Sequence, residues 1–336
     1  MQFPGTLLAS VVVGIFLKLP ASSGRNPAAF RTQLSRVDFL GALVLVLAVL
    51  GLLVGLDLAS NESLRSPVVV GTLSAAAALF AAFAYVESFV AAEPFAPPRI
   101  VRERTTLASS LANFCAFASY MAVLFYVPLY YQAVQSLSAS EAGTRLLPAI
   151  AGVVSGSLGG GLLMQKTGKY YWLTVAAYSL STVGATLVCL ATSASLPTTA
   201  IAAGLVCSGF GNGIGVTTSL IALIAAAGPE DQAVATAVSY LFRALGTVTG
   251  VSVGSVLVQS KLRTELAARL EGDRVDEIVK RVRESMDYIG TLPEETRIVV
   301  RACYRDALQV VFVFSIALAI CAVLCVVFIK EKRLSR

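Results

Sequence analysis

The sequence contains no histidine and very little charge. Only 14% of its 336 residues are Asp, Glu, Lys or Arg, against roughly 25% in soluble globular domains. Without imidazole there is no Ser-His or Cys-His catalysis and no histidine-ligated metal. The six cysteines, Cys115, Cys189, Cys207, Cys303, Cys321 and Cys325, form no C-x-x-C pair, and all but Cys303 sit in apolar runs. That spacing supports neither a zinc site nor a disulfide framework. No P-loop and no HExxH occurs. One G-x-S-x-G match runs from Gly250 to Gly254 around Ser252. It lies inside a long apolar run, without the strand-to-helix turn and the base that a nucleophile elbow needs. The chain is therefore read as neither an enzyme nor the holder of a metal or cofactor. Its net charge of +6 does not point to nucleic acid either, because the basic residues fall between apolar runs.

What the chain has in excess is hydrocarbon: 56% of residues are hydrophobic and the mean hydropathy is +0.77. A bilayer core of about 30 Å takes about 20 apolar residues as helix, because lipid offers the backbone no hydrogen-bond partner. Nine runs qualify, at about 2–19, 38–57, 67–88, 108–131, 146–164, 170–192, 198–226, 234–258 and 307–329. None alternates as a barrel strand does. The fold class expected is an all-α polytopic membrane protein. With a cytosolic carboxyl terminus, Lys18, Arg25, Arg31, Arg36, Arg99, Arg102, Arg104, Lys166, Lys169, Lys330, Lys332, Arg333 and Arg336 all fall on the cytosolic side. Only Arg65 and Arg145 fall in the short loops opposite. Basic residues hold loops in the cytosol, so this is the expected direction.

Residues 259–306 form the one long polar segment, with basic and acidic residues in equal number. Leu262, Leu266 and Leu270, then Val275, Ile278, Val279 and Val282, recur at helical spacing. The spacing predicts two or three short amphipathic helices at the membrane surface or capping the bundle, as a lid over a substrate path or as a packed loop.

Within the spans the polar residues stand out. Arg243 is the only charged residue deep in a span, about ten residues inside its run, or ~15 Å along a helix axis. Inserting an arginine there costs roughly 2.5–3.5 kcal/mol, so the competing readings are function, snorkelling to the cytosolic interface, or satisfaction by backbone carbonyls. Asn113, Tyr120, Tyr126, Tyr130, Asn212, Thr217 and Tyr240 are polar or amphipathic groups expected to face the bundle interior. They are candidates for a substrate cavity or for interhelical hydrogen bonds. Gly152, Gly156 and Gly160, and again Gly246, Gly250 and Gly254, recur every four residues and pave one face of each helix, where another backbone can approach closely. No Asp or Glu lies deep in any span.

The stretch GGGLLMQKTGKYYWL, residues 159–173, closes one apolar run and opens the next. Gly168 suits so tight a turn because it takes a positive φ at little cost. The series Gly161-x-Leu163-x-Gln165-Lys166-Thr167-Gly168-Lys169-x-x-x-Leu173 resembles the loop motif of the major facilitator superfamily, in the degenerate copy of its carboxyl-terminal half. The family's acidic position is Gln165 here, which puts a charge-relay role for this loop in question. The stretches RVDFLGALVLVLAVLGLLVGL, NFCAFASYMAVLFYVPLYYQAV, SEAGTRLLPAIAGVVSGSLGGGLLMQKTGKYYWL and EDQAVATAVSYLFRALGTVTGVSVGSVLVQSKLR look like the fourteen-helix drug:proton antiporter branch. Among its members they are most similar to fungal vacuolar basic amino acid transporters and their multidrug-resistance relatives.

The resemblance implies an organisation. Residues 1–19 match the last helix of an amino-terminal half, and 20–106 a cytosolic linker with two linker helices. Residues 107–258 match the first five helices of the carboxyl-terminal half, 259–306 the non-cytosolic loop, and 307–336 the last helix and tail. It implies that the chain is amino-terminally truncated by five helices, and that both glycine faces line the seam between the two halves. It implies a parent activity of proton-coupled antiport of basic amino acids into a vacuole, or of drugs out of the cytosol. The expected partners are the bilayer, a cationic amino acid or drug, protons, and either the missing helices or a partner chain that brings a titrating carboxylate. A non-transporting receptor or subunit on the same scaffold is the reading from another class.

Overall fold

In a computed structural model of the chain, the residues described are 38–62, 65–91, 94–95, 97–228, 231–270, 281 and 287–331, with Thr6, Leu7 and Val12. The expected first span at 2–19 lies outside them but for those three positions. Among the described residues the fold is all α, with no strand. Eight helices are long and apolar enough to cross a membrane. They are α1 (Phe39–Asn61), α2 (Pro67–Tyr85), α3 (Arg104–Ala133), α4 (Leu147–Thr167), α5 (Tyr171–Ser193), α6 (Thr198–Ala227), α7 (Gln232–Arg269) and α8 (Glu294–Val326).

Local chemistry sets the ends. Asp38 caps α1 by accepting from the Gly41 amide at 2.8 Å, and Glu103 caps α3 through the Thr106 amide at 2.7 Å. Both satisfy amide donors that a first turn leaves over. A capping box of Ser138 and Glu141 opens the short helix Ala139–Thr144 that leads into α4. Past its last α turn, α2 widens into a π turn at Val86–Val90.

The helices fall into two layers. In one, α6 lies between α4 and α5; in the other, α3 lies between α7 and α8. The layers meet where α6 touches α3 and α7, and where α5 touches α8. The α1–α2 hairpin joins this body mainly through α7, and its apolar side chains are largely exposed, as at Leu43, Leu47, Val54 and Val70. Such a surface suits lipid.

At its described ends the 259–306 segment departs from the expectation of short helices at the membrane surface or capping the bundle. Instead α7 continues unbroken to Arg269 and α8 begins already at Glu294. Among the described residues Asp287–Thr291 stands as a separate short helix and Arg281 is helical; positions 271–280 and 282–286, with Val275, Ile278, Val279 and Val282, lie outside the described residues. The reason is packing. No Gly or Pro interrupts 255–270, so nothing stops the helix where the apolar run ends. Leu262 and Leu266, each 0% exposed, then cluster with Val300, Cys303, Tyr304 and Ala307 of α8. At Leu262 and Leu266 the helical spacing, read as a face for the membrane surface, a bundle cap or a packed loop, is a helix–helix face. Ion pairs from Lys261 and Arg269 to Glu265 (both 2.7 Å) and from Arg269 to Asp306 (2.6 Å) decorate its outside, where such pairs contribute little. Leu266→Ala is expected to cost about 2–4 kcal/mol, read as a lower unfolding midpoint in detergent. A leucine lying on lipid would leave the midpoint unchanged.

Candidate functional site

The polar residues concentrate at the junction of α3, α5, α6 and α7, on the side of the bundle that holds the α4–α5 turn. Asn113 of α3, 0% exposed, is the hub. Its Oδ1 accepts from the Tyr178 hydroxyl of α5 at 3.2 Å and from the Ser219 hydroxyl of α6 at 2.9 Å. Its Nδ2 donates to Ser239 Oγ of α7 at 3.3 Å. One amide thus ties four helices, and three of its four hydrogen-bonding positions are filled. Tyr178, Ser219 and Ser239 were not singled out in the sequence; single hydroxyls in apolar helices are too common to mark a site.

Arg243 lies one turn beyond Ser239 on α7. Its Nη2 donates to the Val216 carbonyl of α6 at 3.0 Å. Phe117 of α3 and Tyr240 of α7 place their rings 5.5 and 5.4 Å from the guanidinium carbon, within cation–π range. Arg243 is only 7% exposed, so it does not snorkel. Tyr240 is 58% exposed, so one of the two rings against the guanidinium also reaches the surface.

The other expected cavity residues do not join this cluster. Tyr126 donates to the Val251 carbonyl of α7 at 2.8 Å, and Tyr130 to the Thr192 carbonyl of α5 at 3.4 Å. Both hydroxyls are committed to neighbouring helices. Tyr120 is buried on α3. Thr217 shares a hydrogen bond of 2.9 Å with Ser157 of α4. Asn212 is 3% exposed, and its Oδ1 has no hydrogen-bond partner among the described residues.

Both glycine faces turn inward, not to a seam with another half. A Cβ on Gly152 would come within 2.7 Å of the Val206 carbonyl oxygen, one on Gly156 would overlap Phe210, and one on Gly160 would meet Ile214 at 3.2 Å, all on α6. On Gly246 and Gly250 it would overlap the carbonyls of Phe114 and Ala118 on α3, and on Gly254 the Tyr126 ring. The spacing marks a close backbone contact, and within this chain each face already has its partner.

The loop motif forms a turn. Thr167 ends α4 with its hydroxyl on the Leu163 carbonyl at 2.8 Å. Gly168 then takes φ +65°, with its amide on the Met164 carbonyl at 2.8 Å, a left-handed cap that favours glycine. Leu163, Gln165 and Lys169 are exposed, and Gly161 has open space around it. No ion pair among the described residues involves Gln165 or Lys169.

Long apolar helices with their polar side chains turned inward define an α-helical integral membrane protein. A sequence profile of the Major Facilitator Superfamily matches residues 3–251, and the chain belongs to that family. It is 36% identical over 335 residues to the vacuolar membrane amino acid uptake transporter fnx2 of Schizosaccharomyces pombe, covering 99% of this chain and 57% of that protein. It is 32% identical to the multidrug resistance protein fnx1 of the same yeast, covering 98% of this chain and 62% of that one. The chain thus spans about three-fifths of the length of these relatives. A bacterial homologue of the human lysosomal transporter Spinster, solved inward-facing and occupied, superposes with a TM-score of 0.54 at 16% identity. The match covers 85% of this chain and 64% of that one, and at that identity it speaks to the fold.

Proposed function

We propose that this chain forms part of a secondary active transporter that carries basic amino acids across the vacuolar membrane in exchange for protons. The observation that carries the reading is its 36% identity, over nearly its whole length, to a vacuolar amino acid uptake transporter. The buried polar junction around Asn113 and Arg243 supports it, since intramembrane polar groups in a helical bundle serve transport paths. Transporters of this type rock two halves about a midplane site. The helices described here supply one half, with the α1–α2 hairpin as linker. Further helices, on the same chain or on a partner, would supply the other half and the titrating carboxylate. The distribution of Lys and Arg supports a cytosolic carboxyl terminus. Export of cationic drugs is a second reading, favoured by the 32% identity to a multidrug resistance protein.

Vacuolar vesicles from cells carrying the native gene are expected to take up lysine and arginine when acidified, and to lose at least about 80% of that uptake when a protonophore dissipates the gradient. Vesicles lacking the gene should show no such component. Equal uptake with and without the gene would sink the reading. An immunoblot against the tail from Lys330 to Arg336, run on the same vesicles, gives the size of the working protein beside the 35.1 kDa of this chain.

A further inference from the structure

Arg243 is a buried positive charge that the described helices leave without a counter-charge. A guanidinium presents five N–H donors in a rigid fork. Of these groups, Nη2 has the Val216 carbonyl at 3.0 Å, while Nε is buried without a hydrogen-bond partner among the described residues. No ion pair among the described residues involves Arg243. The Phe117 and Tyr240 rings flank the cation, but a ring face balances little of a full charge and cannot accept the fork. An acceptor is also orphaned nearby. Asn212 Oδ1, buried without a partner, lies one turn before Val216 on α6, and that turn rises about 5.4 Å.

A guanidinium held at the Val216 carbonyl with its Nε unpaired, and an unpaired acceptor one helical turn before Val216 on α6, complement a small zwitterion. The guanidinium fork matches a carboxylate bidentately, and an amide oxygen accepts from an ammonium. We propose that Arg243 receives the carboxylate, and Asn212 the α-ammonium, of the amino acid that this protein carries. The proposal rests on the transporter reading above and narrows it. The site takes free amino acids and rejects both decarboxylated amines and lipophilic cations, because neither brings an anion to the guanidinium. Tyr240, exposed and lying against the guanidinium, is the side chain that must swing aside for the ligand to enter.

The experiment compares lysine with cadaverine, which is lysine without its carboxylate, in the same acidified vesicles. Wild-type protein is expected to prefer lysine by at least roughly tenfold in kcat/KM, the ratio that about 1.4 kcal/mol of lost carboxylate recognition gives. Arg243→Gln is expected to erase the preference. Arg243→Lys keeps the charge without the fork, and is expected to raise the lysine KM about tenfold and so to narrow the lysine-to-cadaverine ratio. The wild-type comparison needs no variant, so a misfolded mutant does not rescue the idea. Equal uptake of lysine and cadaverine overturns the carboxylate site and leaves the transporter reading in place. So does a full preference for lysine in a folded Arg243→Gln protein. Absence of gene-dependent uptake of either overturns the transporter reading, and this proposal with it.

Discussion

Replacing Gly250 by valine is expected to force α7 off α3 and to cost about 3 kcal/mol or more. Overpacking a well-packed site typically costs about 1–3 kcal/mol, because neighbouring side chains can give way. Here the new side chain meets the Ala118 carbonyl oxygen and its backbone, which move only if the whole helix moves. Gly156→Val should act likewise between α4 and α6, where it meets the backbone of Phe210. The measurement is the unfolding midpoint and the gel-filtration profile of the protein in detergent. Gly161→Ala and Gly71→Ala are the controls, since nothing lies within 4 Å of a Cβ at either position. Both should leave the midpoint unchanged or raise it slightly, because alanine favours helix over glycine by up to about 1 kcal/mol. If Gly250→Val melts within about 2 °C of the parent protein, α3 and α7 do not approach as closely as described.

Asn113→Leu is expected to have the second large effect. Leucine is similar in size and more apolar, so area alone would make the change neutral or favourable. The loss comes from the partners. Tyr178 and Ser219 lose their acceptor, and Ser239 its donor, at a point where four helices meet. Leaving a buried group unsatisfied costs about 1–3 kcal/mol, whereas single interhelical hydrogen bonds in membranes average only about 0.6 kcal/mol by double-mutant cycle. A total of about 2 kcal/mol follows, with Tyr178→Phe alone costing well under half of it. In the double variant the losses should fall short of additive, since Tyr178→Phe removes one of the hydroxyls that Asn113→Leu would strand. Additive losses would mean that Asn113 and Tyr178 stabilise the junction independently.

Much of this protein is legible without coordinates. A chain with no histidine, 14% charge and runs of about 20 apolar residues has few ways to satisfy its backbone, and helices across a bilayer are the solution that such runs allow. The seven runs from 38–57 to 234–258 coincide with helices to within a few residues, apart from the extension of the last, because hydropathy and helical period are properties of neighbours in sequence. The resemblance of 159–173 to a family loop motif pointed to the superfamily to which the chain belongs.

Tertiary structure decided everything that depends on a partner. Gly246, Gly250 and Gly254 announce a close contact, yet nothing in their spacing says that α3 fills it. Leu262 and Leu266 fit a membrane surface as well as a helix. Only the position of Val300, Cys303 and Ala307 on α8 makes them a packed extension of α7. Arg243 stands out in the sequence, but its burial between Phe117, Tyr240 and the Val216 carbonyl, with no carboxylate paired to it among the described residues, is a fact about three helices. Periodicity is short-range and fixes the face a helix offers. The partner that covers that face is settled by packing between residues as much as 225 positions apart, and so it is there, and not in the spacing, that the candidate site was made.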